Sequence, residues 1–443
     1  MNSDLNALSV CLCKSHTVFP LFKCHPFYWL DNGPAMNVKW RARLRWYVSV
    51  SLVVLYYAYV VGLTAKTVSN PTTSLAVKFY MMFSTVAYSF GVFNHGFVII
   101  SNSDFTSFTR NYIKMLGEVT KYRFFNPDSE CWRDYAFSGN MQFENGFNAS
   151  AKSKFRLQSC RLLMMTIRFS CWAVVVANTL LNVARPTSHL FLSSLITTNS
   201  TYFETVARPI AIAFQVYLLT AAIEIIPLVE SSFMLFVFTM PILLQHLVWV
   251  LTIWFHECNN LALTILIYRL DVERQEQLKP NATKVRCKDY ARIENVVHRY
   301  RCFQLISIAF NSVYTLYNAL LHAAATGGIS ILVFGAIRGE GLISILSAYL
   351  GLQLLLGYLL VISTHAEISR LSKCVLLAAP RAWSRASGQT RIKNVAGEIL
   401  KRKLVTMVEL HVKAASFFYF DKPLVLSFAN VVFILSANLL IMY

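Results

Sequence analysis

Acidic side chains are scarce in this sequence: 22 Asp and Glu stand against 41 Lys and Arg in 443 residues, and charged residues total only 14%. Soluble chains carry about 25% charge, so a large water-exposed domain is excluded. Catalytic signatures are missing too. The run His256-Glu257-Cys258-Asn259-Asn260 puts Asn260 where a zinc-protease helix needs its second histidine. Neither a Gly-x-Ser-x-Gly elbow nor a phosphate-binding loop occurs. No enzyme activity, cofactor or metal site is therefore expected. Cys11-x-Cys13 lacks a second cysteine pair to complete a zinc site. Inverted repeats of the transporter kind are absent, and acids within apolar runs are few, so ion-coupled transport has little to use. Residues 1–30 mix polar side chains with three cysteines, and the first span is expected to serve as signal anchor.

Apolar sequence is what the chain has in plenty, at 56% of its residues. Runs at about 44–65, 79–101, 162–184, 232–256, 302–326, 341–364 and 423–443 each approach the ~20 residues that cross a bilayer as a helix. The expected fold is an all-α membrane protein of seven transmembrane helices with a cytoplasmic N-terminus and an extracellular C-terminus. Charge supports that orientation. Lys39, Arg41, Arg43 and Arg45 precede the first span, and the segments 110–161, 269–301 and 370–422 hold most other basic residues. Only Lys66, Lys78, Arg185, Arg208 and Arg338 fall on the opposite side, and Arg168 lies within a span. This is the positive-inside pattern, which explains the +19 net charge without nucleic acid.

Residues 209–230 are also apolar, but Glu224, Pro227 and Glu230 interrupt them. Charge parity requires one or three crossings between Arg208 and Arg269, so 209–230 is read as a non-spanning segment on the outer side. No cysteine falls in an outer loop, which excludes an extracellular disulfide. Of the sequons at Asn148, Asn199 and Asn281, only Asn199 is expected to face outward and carry glycan.

Hydrophobic periodicity continues past the membrane-length runs at 256–277, before the fifth span and after the sixth. The stretch 394–418 places Val395, Ile399, Leu400, Leu404, Met407, Val408 and Val412 at helical spacing. Together these predict a cytoplasmic helical anchor region built from span extensions. The domain layout is then 1–43 cytoplasmic, 44–364 spans one to six with a ligand-binding bundle, 365–421 anchor helices, and 422–443 the last span.

The last span carries Ser427, Asn430, Ile434, Asn438 and Ile441 in one narrow stripe, with Val425, Val432, Leu439 and Leu440 facing away. Two environments suit such a stripe: a helix–helix interface bonded through its asparagines, or a water-filled pore lined by several copies, with Ile closing it by dewetting. Polar and aromatic residues that could hold a small molecule are Gln245 and His246 in the fourth span. The fifth adds Tyr314, Tyr317, Asn318 and His322, and the sixth adds Tyr349 and Gln353.

The segment 408–428 resembles the C-terminal signature of arthropod gustatory receptors through Phe417, Phe418, Phe420, Asp421, Leu424 and Ser427. His25-Pro26-Phe27-Tyr28-Trp29-Leu30 is similar, more weakly, to that family's N-terminal region. Where the family has Thr-Tyr and Gln-Phe in its last span, this chain has Ile434-Leu435 and Ile441-Met442. It thus looks like a divergent member, or a relative within the wider seven-span superfamily that includes insect odorant receptors. The resemblance implies a ligand-gated, non-selective cation channel of chemosensory neurons, in the plasma membrane and surrounded by lipid. It implies a homotetramer or heterotetramer with related subunits, opened by a small-molecule tastant, with the last helix lining the pore for permeant cations. A G-protein-coupled chemoreceptor is the alternative. It would need the opposite orientation, and Tyr268-Arg269-Leu270 lacks the acidic residue that such a receptor places before the arginine.

Overall fold

The computed structural model describes residues 27–30, 33–36, 39–121, 143–184, 201–270, 279–388, 395–415 and 418–442. Among these, a hairpin of β1 (Phe27–Leu30) and β2 (Gly33–Met36) precedes α1 (Trp40–Ser69). Then follow α2 (Leu75–Lys121), α3 (Phe143–Ala184), α4 (Thr201–Glu224), α5 (Ile226–Leu270), α6 (Lys279–Arg338) and α7 (Leu342–Gly388). The chain continues with α8 (Val395–Val405), a short antiparallel pair β3 (Lys413–Ala414) and β4 (Phe418–Tyr419), and α9 (Lys422–Met442).

Six of the described helical stretches are long and apolar enough to cross a membrane: Trp40–Ser69, Val77–Gly117, Thr205–Thr252, Glu294–Arg338, Ser344–Arg381 and Pro423–Met442. The expected third span, 162–184, lies in α3, where part of the side chains fall outside the described set. At 1.5 Å per residue, the 60 residues of α6 extend about 90 Å, three times the hydrocarbon thickness. The molecule is a multi-pass helical membrane protein whose helices run on beyond the bilayer.

Packing fixes the depth of each helix. The Trp46 indole, a donor only, gives its proton to His95 Nδ1 at 3.2 Å. His95 must then carry its own proton on Nε2, which donates to the Ala221 carbonyl at 2.8 Å. Ser49 and Tyr217 bond at 2.6 Å. These contacts set α1, α2 and α4 level with one another just above Arg41, Arg43 and Arg45. Beside them Val53, Tyr56, Val60, Tyr88, Leu218 and Leu219 belong to one buried cluster.

Two sequence expectations are corrected by this geometry. The segment standing beside the first two spans is 205–224, not 232–256. The latter lies lower, against the inner extension of α2, where Ser232 bonds Thr109 at 2.6 Å and Thr239 bonds Tyr112. Phe233, Phe236, Val237, Phe238 and Met240 are fully buried there. That run is apolar because protein surrounds it, and a hydropathy window reads protein and lipid alike. Pro227 supplies the break between α4 and α5, since it cannot donate to the Ile223 carbonyl.

The fifth span shifts likewise. The Tyr317 hydroxyl lies 3.3 Å from Asn94 Oδ1, next to the Trp46–His95 level. The stretch level with the other spans is therefore about 317–338 rather than 302–326. Below it Phe105, Phe108, Phe233, Phe236, Phe310 and Tyr314 form an aromatic core, with Phe236 stacked on Phe310 at 3.9 Å.

The predicted helix 394–418 also gives way. It ends at Val405, and residues 407–414 run as a non-helical strap along α6 before the turn at Ala415. The reason is a ladder of side chains that replaces helical hydrogen bonds. Tyr300 and Gln304 donate to the Val408 carbonyl at 2.9 and 3.0 Å, and Ser372 Oγ accepts from Leu410 N at 2.8 Å. Asn311 donates to the His411 carbonyl at 2.7 Å and accepts from Lys413 N at 2.9 Å, as a neighbouring strand would. Asn318 and Thr315 complete it at Lys413 and Ala415. Asn311→Leu leaves two strap groups unpaired and is expected to cost about 2 kcal/mol. A lowered midpoint in thermal unfolding of the detergent-purified chain is the check, and an unchanged midpoint means that water replaces the ladder.

Candidate functional site

The last helix starts where its sequence says it should. Asp421 Oδ1 accepts from Leu424 N at 3.2 Å as a helix cap, and Pro423 occupies the first turn, where no amide donor is needed. Phe428, Val432 and Ser436, four residues apart, form its buried row. Leu424 and Val425 are half-buried beside them. α9 rests on α6 and α7 alone among helices with substantial contact.

The stripe Ser427, Asn430, Ile434, Asn438 and Ile441 lies on the exposed side, with Ile434 47% and Ile441 83% accessible. Val432 is buried and Leu439 and Leu440 are half-buried, while Leu426, Val431, Phe433 and Leu435 are exposed along with the stripe. Ser427 Oγ reaches only the Pro423 carbonyl of its own helix, at 3.4 Å. Among the described residues neither Asn430 nor Asn438 makes a hydrogen bond within the chain. The interface reading of this stripe therefore has no partner inside one copy of the chain. An unbonded amide facing hydrocarbon is costly, so these positions call for water or a second polypeptide.

The signature residues before α9 are structural. Phe418 sits 5.2 Å from His322, and Phe420 is buried at 4.6 Å from His365, ring centre to ring centre. Asp421 caps the helix, and Leu424 packs beneath it. Phe417 lies outside the described residues, as does Asn199.

The residues expected to hold a ligand do not converge. Tyr314 and Tyr317 are fully buried in the aromatic core, where Tyr317 also donates to Glu230 Oε1. Asn318 belongs to the strap ladder. Gln245 accepts from Arg156 at 3.5 Å, and Arg156 pairs with Glu367 at 3.0 Å, far down in the extensions. His246 lies one residue on, 5.8 Å from the Trp249 ring. Tyr349 is 63% exposed on the outer surface of α7, and Gln353 donates to Ser170 at 3.4 Å to tie α7 to α3. Only His322 faces the last helix, through Phe428 at 5.6 Å. A cavity of about 20 Å³ between α3 and the α4–α5 junction is lined by Cys171, Trp172, Thr220, Glu224 and Pro227. That is room for one water rather than an organic ligand.

Sequence reasoning missed Trp46–His95–Ala221 and Glu230–Tyr317–Asn94, each of which ties three helices together. The signal was present as buried-type polar residues in apolar runs, but their partners lie 49 to 223 positions away in the chain.

The architecture is that of a multi-pass helical membrane bundle, and comparison with known proteins agrees at the level of the fold. No family model matches the sequence, and no curated protein sequence matches it. The chain does share its fold with the insect olfactory receptor OR5 from Machilis hrabei, with a TM-score of 0.59 at 15% identity. The match covers 99% of this chain and 98% of the other. The same receptor in complex with eugenol superposes with a TM-score of 0.56 at 13% identity, over the same shares of both chains.

Proposed function

We propose that this protein is a chemosensory ligand-gated cation channel, assembled from several copies around α9 and opened by a small organic molecule. The observation that carries the reading is the last helix: its apolar row is seated on α6 and α7 while its polar stripe stays open along the whole span. Brought together around an axis, Asn430 and Asn438 hydrate cations, and Ile434 narrows and dries the path between them. The fold shared with an olfactory receptor solved with and without eugenol supports a small-molecule receptor. The gustatory-type signature favours a tastant, and the plasma membrane of a sensory neuron as its location. The inner extensions 232–252, 294–316 and 365–388, with α8 and the strap, form the anchor that holds subunits together.

The direct test is recording from the purified chain in planar bilayers with sodium, potassium and caesium salts while sapid and volatile organics are screened. Ligand-evoked cation current without a G protein supports the reading, and its absence across homomeric and mixed assemblies refutes it. Orientation has an independent check in glycan mapping. Asn199 is expected to be modified, with Asn148 and Asn281 unmodified. Glycan at either of the latter inverts the bundle and favours the G-protein-coupled alternative.

A further inference from the structure

At its inner end the last helix rests on a small aromatic node drawn from three other elements. His322 of α6 bonds the Tyr358 hydroxyl of α7 at 2.6 Å, bridging the two helices. Both rings lie against Phe428, the one aromatic side chain in the buried row of α9, with centroids 5.6 Å and 4.9 Å away. The His322 ring also meets Phe418 of β4 at 5.2 Å, where the strap turns toward α9. Phe428 is 1% exposed and Tyr358 5%, while His322 is half-buried.

α9 has few other restraints. Beyond Phe428, its fully covered side chains are Val432 and Ser436, and Ser436 Oγ has no hydrogen-bond partner. At the outer end Arg338 donates to the Leu440 carbonyl at 3.0 Å and fixes the helix terminus. A helix held by a cation at one end and by one buried row along its side takes its tilt from whatever holds the other end. Here that is the groove between α6 and α7, which pack extensively on one another and which the His322–Tyr358 bond bridges beside Phe428.

We propose that His322 and Tyr358 are positioning residues that clasp Phe428 and hold the last helix in its closed setting. Separating α6 from α7 breaks the bond, frees the Phe428 ring and lets the inner half of α9 swing. His322 thereby acts through α9 rather than by touching a ligand. The inference rests on the channel reading above.

The test uses intact cells expressing the full chain and a charged, membrane-impermeant thiol reagent applied from outside. Ile441→Cys reports the outer mouth and Asn430→Cys the deeper pore beyond Ile434. Tyr358→Phe keeps the ring against Phe428 and removes only the hydroxyl. It is expected to raise the labelling rate at Asn430→Cys roughly fivefold, the shift that losing one net hydrogen bond produces, with the rate at Ile441→Cys unchanged. His322→Phe is expected to do the same, and His322→Gln, which can still bond the hydroxyl, to stay near the unmodified rate. Equal Asn430→Cys rates in all backgrounds overturn the clasp. A parallel rise at Ile441→Cys also overturns it, by indicating general loosening. If Asn430→Cys goes unlabelled in every background, including one carrying Ile434→Ser to widen the path, the channel reading itself fails.

Discussion

A Gly91→Val protein is expected to lose the seating of α4 on α2 and to reach the cell surface poorly. A Cβ at position 91 meets the Ala222 carbonyl oxygen at 2.7 Å and the Ala222 Cβ at 2.8 Å. Backbone on the far side cannot move away as a flexible side chain would. Ala222 also follows the carbonyl that holds His95, so displacing it disturbs the Trp46–His95–Ala221 bridge. The expected cost is at the upper end of the ~1–3 kcal/mol typical of overpacking, a large part of a domain's ~5–15 kcal/mol stability. Gly96, a turn and a half further along the same helix, has open space where its Cβ would stand. Gly96→Ala should be neutral or stabilising by up to ~1 kcal/mol, since alanine favours the helix. Thermal midpoints of the two purified variants are the comparison. Equal midpoints mean that α4 does not pack on α2 at Gly91.

Ile434→Asn is expected to give a standing cation current without ligand. In the channel reading Ile434 supplies the apolar ring that dewets the pore between Asn430 and Asn438, and a third amide keeps the path wet. A rise of roughly tenfold over the unmodified basal current corresponds to ~1.4 kcal/mol taken from the closed state. Asn430→Leu acts in the opposite direction, lengthening the dry segment and reducing evoked current. Both positions are exposed in the single chain, so neither substitution disturbs its packing, and surface levels should hold. Unchanged currents in both variants take α9 out of the pore.

The last helix was legible in the sequence because its signals are local. Asp421 and Pro423 announce its start, and helical spacing sorts Asn430, Ile434 and Asn438 from Val432 without reference to any other element. The ligand candidates fared differently. Tyr314 and Tyr317 sit at the same helical spacing whether they face a cavity or a core, and the structure gives them Phe97, Phe233 and Glu230 as neighbours. The strap shows the same limit. Leu404, Met407 and Val412 are buried as an amphipathic helix would bury them, yet Met407 and Val412 lie in the non-helical strap. Polar groups on α6, about 100 positions earlier, outbid the helix's own bonds.

By itself the sequence determined the membrane class, the uneven placing of the basic segments along the chain, and the polar stripe of the last helix. Each follows from a quantity that one segment carries alone: its transfer free energy, its charge, or its periodicity. Only the tertiary structure decided that 205–224 packs beside the first two spans while 232–252 fills a protein core, and that 407–414 is a non-helical strap bound to α6. Apolar side chains leave water equally well for lipid or for protein, and a backbone amide bonds equally well within a helix or to a neighbour's asparagine. Such alternatives are close in free energy within the segment, and the partner brought by the fold settles them.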